Sequence, residues 1–467
     1  MEGPPSDPVK SEGSAPPVPG QMRASKLLRV SAVWTTPLVL ASAVVFLMTL
    51  IYFGSVVDPA SHLSGLPVLI VNQDRGATVA QEHVDLGEKV VAGLVGTPAV
   101  ATRLKLSTVT WAEAREQMNK GSDYAAVVIP PDFTSSLLAL ADPGPTSGAV
   151  PRTPAIAIRA NERLGSIGTG LASGVLQPAL TAISAKIGQG LLLTATASNP
   201  SPALKAQLVN PVTLSVVVYR PLPPHSALGL SAFYISLLTL MCGFLGATIV
   251  HSSVDSALGY TTTEIGPKWS QRRPVAISRW QTLLAKWVMA IVLAPVLTGL
   301  MVLGAVGILG LDAPDPFLLW LFTSLAAIGV AAGTLVLFAA LGTVGQLVAL
   351  LIFVYLALAS SGGTVPIQAL SGFFRFVSHF EPLRQIVDGN RALLYFDGQL
   401  NAGLGRSLTV IVVELVFWLI VGVLITTWYD RKKFHRMSPE TLAYVNRSVD
   451  EYEAMRADDA TSAEQTA

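Results

Sequence analysis

Residues Val30–Phe53 contain no charged side chain. At ~1.5 Å of rise per residue, about twenty such residues cross the ~30 Å hydrocarbon layer as one helix. This run therefore makes the chain a membrane protein before any other feature is read. It is too long for a signal-peptide core of ~7–15 residues, and no Ala-x-Ala site closes it, so it reads as an uncleaved anchor. Five more apolar runs follow far downstream, at Ala227–Val250, Leu283–Leu311, Phe317–Leu341, Val344–Ser360 and Leu408–Tyr429. Within them the charged residues are Lys286, near the start of its run, and Glu414.

Flanking charge orients the spans. Arg23, Lys26 and Arg29 precede the first, Lys268, Arg272, Arg273 and Arg279 separate the second from the third, and Arg431, Lys432, Lys433 and Arg436 follow the last. The tight loop after the third span holds Asp312 and Asp315 and no basic residue. Basic loops stay in the cytoplasm, so both termini are expected there, with six spans between them. The segment from Gly362 to Arg406 must then lie outside, yet it holds Arg375, Arg384, Arg391 and Arg406. Either it is an exception, or the fourth and fifth spans form one re-entrant pair. Leu370, Phe373, Phe374 and Val377 repeat at helical spacing, as do Leu383, Ile386, Val387 and Asn390. They predict two short amphipathic helices at the interface.

Composition agrees: 51% of residues are hydrophobic and only 13% charged, against roughly 25% charged in soluble domains. A net charge of +1 implies no nucleic-acid partner. The single cysteine, Cys242, allows neither an internal disulfide nor a thiolate metal site. The excess of Arg over Lys, with abundant Ala, Val, Leu and Gly, points to a high-GC genome such as that of actinobacteria.

Between the first two spans lies a water-soluble unit. Its clearest stretch is Trp111–Phe133: helix, turn, strand, turn. Thr110 and Glu113 form a Thr-x-x-Glu capping box, Gly121 ends the helix, Tyr124–Ile129 is a buried strand, and Pro130–Pro131 close it. Further strands are predicted at Leu66–Val71, Leu104–Thr110, Ala155–Arg159 and Val212–Tyr219. Helices are predicted at Val79–Val95, Ala112–Lys120, Asp132–Leu140 and Gly165–Leu193, and Ala141–Val150 is a loop. Strands alternating with helices predict an α/β sheet domain.

The expected fold class is an α-helical polytopic membrane protein of six transmembrane helices, with an α/β extracytoplasmic domain between helices 1 and 2. Residues 1–29 are a disordered cytoplasmic N-terminus, 30–54 the first helix, 55–225 the extracytoplasmic domain, and 226–430 a five-helix transmembrane domain. The outer helical hairpin occupies 362–405. Residues 431–467 are a cytoplasmic tail that turns from basic to acidic and is expected to be solvated.

This order resembles the membrane subunits of the six-span ABC exporter class, and within it the phage infection protein (YhgE/Pip) group. Val71-Asn-Gln-Asp-Arg-Gly-Ala77 resembles that group's strand-end motif, and Trp111–Phe133 its helix, Gly, strand, Ile-Pro-x-Asp/Glu-Phe unit. Tyr219–Tyr234 resembles the proline- and glycine-bearing approach to the second span. Ser360–Pro366 and Glu381-Pro382 … Arg391 resemble the last outer hairpin. The likeness covers about residues 30–430, and this chain lacks the coiled-coil insertions common in the group. It implies a bacterial plasma-membrane permease working as a homodimer with a separate ABC ATPase, exporting an amphipathic drug, lipid or envelope precursor. The alternative is a membrane scaffold or receptor whose outer domain binds envelope, secretion or phage components.

No Gly-x-x-x-x-Gly-Lys-Ser/Thr loop occurs, so ATP hydrolysis would belong to another chain. The cytoplasmic loop His251–Arg279 either only sets orientation or begins with a coupling helix that docks an ATPase through His251, Asp255, Glu264 and Lys268. A charged Glu414 inside a span costs roughly 2.5–3.5 kcal/mol. It therefore lines a transport path with Gln346 and Arg391, pairs with Lys286, or hydrogen-bonds a neighbouring helix. Arg391 has a bland reading as well, with its charge snorkelling to headgroups. Asn72, Asp74 and Gly76 at a strand end form Asx-turns or touch a ligand. The scattered histidines and the absence of a Gly-x-Ser-x-Gly elbow give no expectation of a metal, cofactor or enzyme activity.

Overall fold

The computed structural model describes residues 28–79, 81–141, 153–195, 202–266, 268–270, 272–434 and 436–466. Of the segment 1–29 expected to be disordered, residues 1–27 lie outside the described residues, as does the loop expected over 141–150 apart from Ala141, which ends a helix. The chain divides into residues 1–50 and 51–467. Helix α1, Ser31–Val56, is uncharged throughout and apolar on every face, the pattern of a helix made for lipid.

Five strands form one mixed sheet. In chain order the domain runs β1 (Leu66–Asn72), β2 (Ala77–Val79), β3 (Glu82–Val84), α2 (Leu86–Val95), α3 (Pro98–Arg103), β4 (Leu104–Thr108), α4 (Trp111–Asn119) and β5 (Ala125–Ile129). It continues through α5 (Phe133–Ala141), β6 (Ala155–Ala160), α6 (Ser166–Ala195), α7 (Pro202–Val209) and β7 (Thr213–Val218). The sheet order is β4-β1-β5-β6-β7. β1 lies parallel to β4 and β5, with Leu66 opposite Leu104 and Val68 opposite Ala125. β6 is antiparallel to β5 and parallel to β7.

Both faces of β1 are covered, which is why it reads as an unbroken apolar run. Leu66, Val68 and Ile70 face Val90, Leu94, Leu137, Leu140 and Leu176, while Leu69 and Val71 face Ala114 and Met118 of α4. The predicted capping box forms: Thr110 N donates to Glu113 Oε2 at 2.8 Å, and Glu113 N to Thr110 Oγ1 at 3.3 Å. Gly121 ends this unit at φ +67°.

The sequence reading fails at Val79–Val95, which is not one helix. Asp85 Oδ1 accepts from Glu88 N at 2.8 Å, so the helix starts at Leu86. The residues before it pair as a hairpin, with Ala77 opposite Val84.

Among the described residues, six helices are long and apolar enough to cross a membrane, the first covering Leu38–Val56. The second is α8 (Ser231–Ala257), followed by a β8 (Thr263–Ile265) and β9 (Lys268–Ser270) hairpin. Then come α9 (Arg279–Val302, extended by a π-helical turn to Ile308), α10 (Pro316–Leu341) and α11 (Thr343–Leu350, continuing to Ser360). The last span, α14 (Leu404–Arg431), is preceded by α12 (Gly372–Val377) and α13 (Pro382–Tyr395) and followed by α15 (Pro439–Thr466). α10 is the bundle's centre, touching α8, α9, α11, α13 and α14. Small residues allow the close approach: a Cβ on Gly243 of α8 would sit 2.7 Å from the Ala327 carbonyl oxygen.

Three expectations need correction. First, α13 is no surface helix. Every residue in it except Arg384 and Asp388 is buried, because it packs among α8, α10 and α14. Only α12 keeps an exposed apolar face, with Phe373 and Phe376. Three of the four arginines that disturbed the charge rule are engaged locally, and the fourth, Arg406, is exposed at the start of α14. Arg375 donates to the Gln368 carbonyl at 2.7 Å, Arg384 to the Ser378 carbonyl at 3.2 Å, and Arg391 lies 3.7 Å from Asp388. Second, the tail is not merely solvated. α15 buries Val445 and Val449, and Asp450 and Glu453 pair with Arg273 at 2.7 and 3.0 Å. Third, Lys286 does not neutralise Glu414; its carboxylate is Asp255.

The sheet domain rests on the segment after α11. Its core continues into Ala359, Val365, Leu370 and Phe374, and Arg163 donates to the Tyr395 carbonyl at 2.7 Å. Tyr395 in turn shares a 2.6 Å hydrogen bond with Ser231, at the start of α8.

The seat of α13 gives the first prediction. A Cβ on Gly389 would sit 2.1 Å from Cζ of Phe322 on α10. Gly389→Ala is expected to cost about 1–3 kcal/mol through overpacking, read as a lower thermal midpoint in detergent. Phe322→Leu should recover part of that loss, and an unchanged midpoint in Gly389→Ala would show that α13 is not seated this way.

Candidate functional site

At the far end of α8 from Ser231, about 40 Å along the helix, charged groups close around a cavity. Asp255, in the last turn of α8, is 4% exposed. Lys286, two turns into α9, is equally buried and places Nζ 2.7 Å from Asp255 Oδ1. Arg436, from the segment before α15, donates from Nη1 and Nη2 at 3.1 and 3.2 Å to Oδ1 and from Nη2 at 3.1 Å to Oδ2. One carboxylate therefore serves two cations. Such a pair stays ionised away from water only if its hydrogen bonds are complete, and the fork of Arg436 supplies them.

His251 lies one turn before Asp255. Its Nδ1 is 3.0 Å from Lys286 Nζ, and its Nε2 is 3.3 Å from Asp255 Oδ2. The ammonium has donors only, so Nδ1 accepts and Nε2 carries the proton toward Asp255. The Arg436 guanidinium lies 4.4 Å from the centroid of Tyr260, and that of Arg279 lies 5.0 Å from the centroid of Tyr429. Asp430 caps α9, accepting from Arg279 N at 2.9 Å and Trp280 N at 3.1 Å. The half-open cavity measures about 410 Å³, with Thr343 and Gln346 of α11 also in its lining. A second cavity of about 630 Å³ adjoins it, sharing Tyr260, Arg279 and Arg436 and lined further by Val275, Ile277, Phe434 and Leu442.

The structure thus joins residues that the sequence assigned to separate roles. His251 and Asp255, read as docking residues, share one cavity with Gln346, read as a path residue. Glu264 is exposed in β8, and Lys268 opens β9; where a coupling helix was considered, α8 continues to Ala257 and a hairpin follows. Glu414 and Arg391 sit elsewhere. Arg391 meets Asp388 within α13. Glu414 Oε1 is buried with no hydrogen-bond partner among the described residues. Its electrostatic neighbour is Glu381, whose carboxylate caps α13 by accepting from Leu383 N at 2.7 Å and Arg384 N at 3.1 Å. The sequence reading missed Glu381 as a partner, although its place before Pro382 is an N-cap signal. It also missed Lys286 and Arg436 as site residues, because their partner is distant in sequence.

The strand-end motif is an internal fastening. Asn72 Oδ1 accepts from Asp74 N at 3.1 Å. The Asp74 carboxylate accepts from Gly76 N at 3.3 Å, Gly87 N at 3.0 Å, Thr134 N at 3.1 Å and the Thr134 hydroxyl. It joins the starts of α2 and α5 to the end of β1. Burial by itself would raise the Asp74 pKa, but the bonds from Thr134, Gly87 and Gly76 outweigh it and hold the carboxyl below its ordinary value.

Comparison with known proteins adds the following. A search of curated proteins gives no match. Among solved structures, a domain assigned to an ABC type-2 transporter of Thermotoga maritima MSB8 is similar at 17% identity. That match covers 33% of this chain and 85% of the domain, with a TM-score of 0.23. Residues 37–424 match the model of a family described as a protein of unknown function, DUF3533. Because that match spans most of its length, the chain belongs to the DUF3533 family.

Proposed function

We propose that this protein is a permease subunit of the ABC exporter type, akin to the phage infection protein group, that moves an amphipathic molecule out of the bacterial cytoplasm. It is not itself an enzyme. It works as a homodimer in the plasma membrane, with both termini in the cytoplasm and the sheet domain outside. The observation that carries the reading is the cavity at the span ends. A buried ion-pair network there ties two spans to the tail, directly beside the β8–β9 hairpin. Polar cavities inside a span bundle mark substrate or ion pathways, and a hairpin on a basic loop is a surface on which a separate ATPase can push. The scaffold reading keeps one supporting observation, the dense packing of α13 among α8, α10 and α14.

The test is purification of the tagged full chain from its host in mild detergent, with mass spectrometry of what accompanies it. The expected result is an ABC ATPase near stoichiometric yield, lost when residues 262–271 are replaced by a Gly/Ser linker. Recovery of envelope or secretion proteins alone, unaffected by that replacement, would overturn the permease reading.

A further inference from the structure

We infer that the paired cavities at the ends of α8 and α9 bind a phosphate-class oxyanion carried on an apolar molecule, held by Arg279, Lys286 and Arg436. The inference goes beyond the permease reading, since a scaffold could hold a resident lipid in the same way.

Charge comes first. The polar cavity is lined by three fixed cations, Arg279, Lys286 and Arg436, and by one carboxylate, Asp255. His251 adds no charge in the tautomer that its neighbours impose. Asp255 is fully used by Lys286 and Arg436, and Asp430 turns its oxygens to the amides at the start of α9. Positive charge therefore exceeds negative around a half-open cleft, the condition under which an anion is drawn in. Guanidinium forks suit phosphate oxygens, which accept two parallel N–H bonds.

Position comes second. Trp428 and Tyr429 pack together at this level beside Arg279, and Trp428 is 52% exposed. Interfacial aromatics mark the headgroup layer, where a lipid phosphate resides. Shape comes third. Arg279 and Arg436 form a wall common to both cavities, and the second is flanked by Val275, Ile277, Phe434 and Leu442. An anionic head on one side of that wall and an apolar body on the other describe an amphiphile.

The test uses the full chain in mild detergent and reads thermal midpoint and apparent affinity. The probes are phosphatidylglycerol, phosphatidylcholine and inorganic phosphate. Phosphatidylglycerol should raise the midpoint where phosphatidylcholine does not. Arg436→Gln and Arg279→Gln should each weaken that response about tenfold, the scale of one charge-assisted hydrogen bond. Arg431→Gln, outside both cavities, should leave it unchanged. Asp255→Asn is the decisive variant. It removes the competing carboxylate and should strengthen anion binding about tenfold even as it weakens the unliganded protein, a direction that general damage to the fold cannot produce. An equal response to inorganic phosphate would support the site and make the free ion its ligand. No response to either anion, or weaker binding in Asp255→Asn, would overturn the inference.

Discussion

Asp255→Ala is expected to lower the stability of the purified protein by about 3–5 kcal/mol, the cost of leaving a buried ion without its partner. Lys286 is 4% exposed and its carboxylate partner is Asp255. Without it, the ammonium keeps only His251 Nδ1, 3.0 Å away, and faces the guanidinium of Arg436 across the vacated space. The fork of Arg436 loses its carboxylate in the same step, which removes one tie between the segment leading into α15 and α8, while Tyr260 still stacks on the guanidinium. A lone buried charge costs far more than a pair replaced whole, so Asp255→Ala combined with Lys286→Met should regain most of the loss. Thermal midpoints in one detergent decide it, with a fall of roughly 5–10 °C expected for the single variant. A single variant as stable as the parent would mean that water enters the cavity freely and the pair is screened. Added phosphatidylglycerol should restore part of the single variant's midpoint, because a bound anion would take the place of the lost carboxylate.

That cluster also shows where reading the sequence stopped. The six spans were legible because lipid allows few alternatives: an uncharged run of the right length has one use. The sheet's strands were legible from β-rich runs closed by Gly and Pro, and the Thr110–Glu113 box placed α4 to within a residue. What failed was whatever depended on partners far along the chain. Hydropathy ended the second span at Val250, yet α8 runs to Ala257, because Asp255 is neutralised by Lys286, 31 residues away, and by Arg436, 181 residues away. Those same two pairings make the candidate site, so its residues appeared singly and under unrelated roles. α13 failed for a related reason. Its spacing looked amphipathic because Gln385 and Arg391 flank the apolar stripe, but both are buried, as is Asn390, the stripe's polar exception, which donates to Ser236 of α8 at 2.8 Å. The helical turn assigned to residues 79–85 gave way to a hairpin because Asp85 is a helix cap, a signal that the apolar period outweighed.

In the sheet domain the largest loss is expected from Asp74→Ala, about 3 kcal/mol. Its carboxylate caps two helices, α2 through Gly87 N and α5 through Thr134 N, and caps contribute about 1 kcal/mol each. It also accepts from the Thr134 hydroxyl, whose oxygen accepts from Leu86 N at 2.8 Å. Removing Asp74 leaves that hydroxyl proton unsatisfied, at about 1 kcal/mol more. Asp74→Asn keeps one acceptor but turns donors toward the Gly87 or Thr134 amides, so it should lose about half as much. The pH dependence has a fixed sign. A carboxyl held below its ordinary value contributes stability that is fully present above the unfolded aspartate pKa of about 3.9 and disappears as pH falls through the lower folded value. Acidification from pH 5 should therefore weaken the parent domain more than Asp74→Asn. Hydrogen exchange of the full chain resolves the effect locally: peptides over 86–95 and 133–141 should lose protection in Asp74→Ala, while 231–257 keeps it. Uniform loss across all three regions, or none in the first two, would show that Asp74 does not hold β1, α2 and α5 together.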